Sequence, residues 1–319
     1  MITMKNKKFL YILLIPLSYT LTILAKYNRD FAEFYATKIY KIFAVSIGFF
    51  TDLVPFSLGE VLIAAGLIIL ACYIIMTIIK TIKGKTLKYV AILAINMAAS
   101  ASVLYLLFVL FCGINYYRYE FTSYSGLEVK DSTKEELIKL CDSLINDANK
   151  FRANIKTDEN GIAVLNDNSF YDTAKRAQSS FENISDKYKV LKGYYAKPKI
   201  VLLSRYMSYM QITGVFFPFT FESNVNVDIP AYNIPATMCH ELLHLRGFMR
   251  EDEANFLSYM ACINSGYDDF AYSGTMLALT YSMSALYMED KDACAALYKK
   301  YSEAVINDIE YSSDYWEQF

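Results

Sequence analysis

The chain of 319 residues reads as an α+β protein in two parts, an N-terminal bundle of three transmembrane helices and a following domain of helices and a small sheet. Three observations predict this. Three long, strongly apolar runs without a charge lie before residue 118, the charge balance changes sign there, and the remainder mixes helical periodicity with short runs of branched and aromatic residues.

Hydrophobic residues make up 55% of the chain, and residues 9–25, 61–79 and 89–117 form uncharged runs of 17, 19 and 29. A helix needs about 20 mostly apolar residues to cross a bilayer, so each run is read as a span. The first also has the length of a signal peptide, but the second and third make the chain multi-pass in either case. Lys5, Lys7 and Lys8 precede the first span, and Lys80, Lys83, Lys85 and Lys88 crowd the loop between the second and third. The positive-inside rule therefore predicts a protein of the cell membrane with its N-terminus and Lys-rich loop in the cytoplasm and everything after the third span outside. Residues 31–50 are aromatic and amphipathic, a pattern suited to the interface.

Residues 1–117 carry 11 basic and 4 acidic side chains, whereas residues 118–319 carry 20 basic and 29 acidic. Domains are accordingly expected at 1–117, in the membrane, and 118–319, outside it. An acidic outer part excludes nucleic acid as a partner class, and the membrane-flanking lysines read as topology and contact with the lipid bilayer.

Within the outer part, Ser132 followed by Glu135 predicts a capping box, and Leu137, Leu140, Cys141, Leu144, Ile145 and Ala148 recur at helical spacing after it. A second amphipathic helix is predicted over 171–188, strands over 199–203 and 212–221, and helices over 270–310. The six cysteines include no C-x-x-C pair. Cys72 and Cys112 fall in membrane segments, and for Cys141, Cys239, Cys262 and Cys294 disulfides are permitted but not dictated.

The chain has two histidines, and both fall in His240-Glu241-Leu242-Leu243-His244. Positions four apart share a helical face, so both imidazoles can serve one ion, while Glu241 between them can act as a base. Pro235 suits a first turn and Gly247 a stop, which predicts a helix over 235–246. A catalytic zinc needs a third protein ligand, and Glu251, Asp252 and Glu253 follow. On an unbroken helix Glu251 would lie about 10 Å along the axis from His244, so the chain must reverse at Gly247. Glu251 shares a helical face with Asn255, whereas Glu253 is turned about 160° away. Glu251 is thus the preferred ligand, Glu253 the alternative, and Asn255 the expected hydrogen-bonding support. Cys239 points about 100° from His240 and is read as packing. Tyr272, Tyr281, Arg246 and Arg250 remain open as stabilisers of a developing oxyanion.

The H-E-x-x-H and E-x-x-A-N patterns resemble the gluzincin branch of zinc peptidases. The stretches 217–226, 240–248 and 251–256, with Gly113-Ile114-Asn115-Tyr116-Tyr117-Arg118, resemble a bacterial membrane family known as domain of unknown function 3810. The resemblance implies a zincin-like fold, with a small sheet, an HExxH active-site helix and C-terminal helices, and a metal site without an established substrate. The gap of seven residues from His244 to Glu251 is shorter than in better-studied gluzincins. Gly247 matches a metzincin position, but Arg250 stands where a third histidine would be.

Two functional expectations follow. One is a membrane-anchored zinc metallopeptidase acting on an envelope or extracellular peptide or protein, with His240, His244 and Glu251 as ligands and Glu241 as general base. The other is a non-catalytic zinc-binding membrane protein, a sensor of envelope peptides or a structural component. The presence of Glu241 favours the first, since a structural site usually closes with a fourth protein ligand.

Overall fold

The computed structural model describes residues 8–166 and 169–319; Lys5 and Lys7, used above for orientation, lie outside the described residues. The chain divides into two compact units that are discontinuous in sequence. The first holds residues up to Ile47, Leu58–Tyr119 and Pro218–Thr220; the second holds Gly48–Ser57, Glu120–Phe217 and Phe221–Phe319.

The first unit contains three helices long and apolar enough to cross a membrane, Leu10–Tyr27, Leu58–Gly84 and Lys88–Phe111. Their apolar side chains, Leu67, Ile68 and Ile69 among them, are largely exposed. The third ends six residues before the uncharged run does. Cys112 leaves helical geometry, and Gly113–Tyr117 forms a 3₁₀ turn with Ile114 and Asn115 buried. A buried turn is as free of charge as a span, so the sequence run merged the two. Residues 31–50 fall in helix Arg29–Phe34, a wide π-type turn Tyr35–Tyr40 and helix Lys41–Asp52. Tyr35 donates to the Leu110 carbonyl at 3.0 Å, and Arg118 lies 3.5 Å from Glu33.

The second unit is mostly helical around a small mixed sheet. Its longer helices are α1 (Lys134–Arg152), α2 (Phe170–Lys187), α3 (Ile234–Leu245), α4 (Glu251–Ile263), α5 (Asp268–Glu289), α6 (Lys291–Tyr298) and α7 (Glu303–Trp316), and the strands among the described residues are β1 (Lys199–Ile200), β2 (Gly214–Phe217) and β3 (Glu222–Val225). The capping box of α1 sits one residue later than predicted, with Thr133 as N-cap and Glu136 closing it. The run Ser132-Thr133-Lys134-Glu135-Glu136 fits both registers. Cys141, Leu144, Ile145 and Ala148 of α1 pack with Tyr272, Met276 and Leu279 of α5 and Val305 of α7 as a core. Inside it Arg152 pairs with Asp308 at 2.5 Å, and Asp308 also accepts from Ala163 N–H at 2.9 Å and from the Tyr272 hydroxyl at 2.7 Å.

The predicted strand 212–221 is a hairpin. Pro218 interrupts it, Phe221 takes φ +52°, and β3 returns antiparallel to β2 with Gly214 opposite Val225 and Phe217 opposite Glu222. β1 pairs parallel with β3, in the order β1-β3-β2, so β2 is an edge. β3 was missed because Glu222-Ser223-Asn224-Val225 is buried without an apolar pattern. Its charge is neutralised by burial with a partner: Lys199 pairs with Glu222 and donates to the carbonyls of Thr51 at 2.6 Å and Phe56 at 3.2 Å. Asp52 is similarly held by Lys197, by the Lys197 N–H at 2.9 Å and by the Tyr194 hydroxyl at 2.7 Å. One sheet face thus meets the segment 48–57, and the other meets α3.

Candidate metal centre

Helix α3 begins with Ile234 and Pro235 and buries Met238, Leu242, Leu243 and Leu245. It stops because Gly247 adopts φ +79°, a left-handed conformation that costs a glycine least. The Gly247 N–H donates to the His244 carbonyl at 2.9 Å and the Phe248 N–H to Leu243 at 3.1 Å, which closes the helix end. The chain then reverses, and α4 starts at Glu251.

The reversal brings three donors together. His240 Nε2 lies 3.1 Å from one Glu251 oxygen and His244 Nε2 lies 3.4 Å from the other. The three ligand atoms all lie within 4.8 Å of one another, so His240, His244 and Glu251 could hold a metal ion. Hydrogen bonds from His240 and His244 hold the Glu251 carboxyl well below the usual carboxylate range. Burial alone lowers His244, but its bond to Glu251, the charge of Glu241 and the Phe248 carbonyl together raise it. His244 Nδ1 is 2.8 Å from the Phe248 carbonyl, which can only accept, so Nδ1 carries a proton and Nε2 is the atom left for a metal.

Glu241 is almost fully buried behind these groups. A Cβ on Gly214 would fall 2.6 Å from Glu241 Oε1 and 2.8 Å from Thr237 Cγ2, so only glycine lets the edge strand approach this closely. The Asn226 N–H donates to the Thr213 carbonyl at 2.9 Å, and the alternation of an antiparallel ladder then turns the backbone groups of Gly214 and Phe216 toward the open edge. The Phe216 N–H bonds the Glu241 carboxylate, whose other oxygen, Oε2, is buried with no hydrogen-bond partner. Burial raises the Glu241 carboxyl, and the neighbouring histidines offset this in part. An orphaned buried carboxylate oxygen beside two imidazoles and a second carboxylate is a donor set suited to a divalent ion and a water.

The other predicted residues lie elsewhere. Glu253 accepts from the Phe121 N–H at 2.5 Å and pairs with Arg250 at 2.8 Å, outside the three-donor group. Asn255 is partly buried on α4 but makes no hydrogen bond to Glu251 or either histidine; the support it was expected to give comes from the Phe248 carbonyl. Asn255 shares a helical face with Glu251, but a backbone acceptor closer in sequence holds the His244 ring. Tyr272 is committed to Asp308 in the core, Arg250 to Glu120 and Glu253, and Arg246 to the Tyr195 ring and the Lys192 carbonyl, while Tyr281 is exposed on α5. Cys239 is fully buried, its thiol pushed up by burial and by Cys262 beside it. Sequence reasoning missed Gly214, Phe216 and Phe248. Only Gly214 left a signal, a glycine inside a strand pattern.

Residues 35–319 match the family described as Protein of unknown function (DUF3810), and the chain belongs to it. No curated protein and no solved structure matches the chain.

Proposed function

We propose that the protein is a membrane-anchored zinc metallopeptidase with a zincin-like second unit. The observation that carries the reading is the buried Glu241 carboxylate, with one oxygen on the Phe216 N–H and the other unpartnered, beside the His240, His244 and Glu251 donors. Two imidazoles and one carboxylate with an open position are the donor set of catalytic zinc sites, whereas structural sites close with four protein ligands. Held by these three residues, zinc would supply Lewis-acid polarisation of a carbonyl and of a water. Glu241, its carboxyl raised by burial, accepts the proton of the attacking water and returns it to the leaving amine. The open edge of β2 offers an extended peptide a strand to pair with beside Glu241.

Glu241→Gln tests the reading. It keeps the helix and the ligands, so metal content persists while turnover falls at least about 100-fold, the scale of losing a positioned general base. Envelope polypeptides should stay bound and uncleaved on the variant, and crosslinking with mass spectrometry would identify them. Equal product profiles for wild type and variant, with zinc bound in both, would leave the binding-protein reading in its place.

The second unit is placed outside the cytoplasm by the same proposal, on the lysines flanking the second and third spans. A reporter active only outside the cytoplasm is expected to work when fused after Arg118 and to be silent near Gly84. The opposite pattern would put the metal centre in the cytoplasm.

A further inference from the structure

The second unit exposes a set of large apolar side chains. Phe50, Leu53 and Phe56 come from the segment 48–57, and Leu202, Leu203 and Tyr206 from the connection between β1 and β2; Leu53 is 70% exposed, Leu202 76% and Tyr206 65%. These two stretches are joined by Lys199, three residues before Leu202, whose ammonium holds the carbonyls of Thr51 and Phe56. The connection contains a short helix, Ser204–Tyr209, with Ser204 and Ser208 turned inward. Leu203, Tyr206 and Met210 follow the i, i+3, i+7 spacing of its opposite face, and all three are exposed. The charged side chain of this helix, Arg205, is turned aside to Asp228 at 3.1 Å and over the Phe319 ring.

We infer that this apolar face, Phe50, Leu53 and Phe56 with Leu202, Leu203 and Tyr206, is a lipid-contacting surface seated in the headgroup and acyl boundary of the bilayer. The occupant follows from the chain itself. Phe56, which Lys199 grips, is two residues before Leu58, the first residue of the second candidate span. Two residues reach at most about 7 Å, so the patch is tethered at the point where the chain enters the membrane. Tyrosine and large aliphatic side chains on one face of a helix, with the charged side chain turned aside, are the composition that partitions into the interface. The inference rests on the spans crossing a bilayer and is independent of the peptidase reading.

The chain has one tryptophan, Trp316, which makes a fluorescence test direct. In a Trp316→Phe background, Leu202→Trp, Ile68→Trp and Tyr287→Trp are introduced one at a time into the full chain, in phosphatidylcholine vesicles whose acyl chains are brominated. Position 202 is expected to lose emission relative to unbrominated vesicles, as position 68 in the second span does, while position 287 stays unquenched. Quenching at 68 without quenching at 202 would overturn the inference. So would emission at 202 that depends on protein-to-lipid ratio and not on bromine, because a second copy of the chain would then cover the patch. No quenching at either position would overturn the span assignment and the inference together.

Discussion

Two polar clusters in the second unit use the same kinds of groups to opposite ends. Around Asp308, every oxygen is taken: Arg152 gives two bonds, Ala163 N–H one and Tyr272 one, with Asp308 itself fully buried. Around Glu241, one buried oxygen has no partner, and the ligand atoms of His240, His244 and Glu251 converge within 4.8 Å of one another. A closed network of charge fixes the position of helices α1, α5 and α7. An open one fixes little and leaves coordination capacity for something else. The difference separates a stabilising cluster from a candidate reactive one, although both contain buried carboxylates.

The largest expected effect comes from breaking the closed cluster. Asp308→Ala strands the Arg152 guanidinium in the core, and the cost should be about 3–5 kcal/mol of unfolding free energy, the range for removing one partner of a buried pair. Thermal unfolding of the full chain measures it; a change within 1 kcal/mol, about the size of a surface substitution, would mean that the cluster is not closed. Next is the open cluster. Glu251→Gln should weaken zinc binding more than about 100-fold, beyond the loss usual for a supporting residue, with little change in melting temperature, whereas Glu253→Gln should change it less than about 10-fold. Isothermal titration of both variants decides this, and the reverse ranking would exchange the roles of the two carboxylates.

The smallest effect concerns Asp52, which lies between the two types. Burial would raise its carboxyl, but the Lys197 ammonium, the Tyr194 hydroxyl and the Lys197 N–H bring it below the ordinary carboxylate range. A carboxylate depressed on folding contributes stability above its unfolded pKa, near 3.9, and loses it as pH falls through the lower folded value. Hydrogen exchange in segment 48–57 should therefore be unchanged between pH 7 and about 5 and accelerate below about 4, and Asp52→Asn should abolish that pH dependence. Acceleration already at pH 6 in the wild type would point to a different group.

Much of the candidate site was legible in sequence because its determinants are local. The two histidines share one helix turn, Gly247 announces the break, and the phase of α4 selects Glu251 over Glu253. The three long apolar helices were legible for the same reason, except where the buried 3₁₀ turn after Phe111 extends the uncharged run. What escaped depends on distant partners. β3 reads as polar because its charge is matched by Lys199, 23 residues away, whose ammonium also donates to carbonyls 143 and 148 residues from it. Segment 48–57 reads as a loop between apolar runs, and distant contacts from Lys199, Lys197 and Tyr194 make it part of the second unit. Asn255 was placed correctly on its helix but has no partner there, because a backbone carbonyl is invisible in a side-chain pattern.

The two-sided cover of the sheet also sets a timetable. Its outer face is completed by a segment made before the second and third spans, whereas its inner face, with Gly214 against Glu241, is made well after them. Contacts of such sequence separation close a long loop and form late in folding. A ribosome-bound chain that has finished only its spans holds the first half of the sheet's cover with nothing to cover. The Glu241 carboxylate therefore reaches its buried setting only after synthesis has passed α3. Assembly of the site is thereby ordered behind synthesis of the three apolar helices.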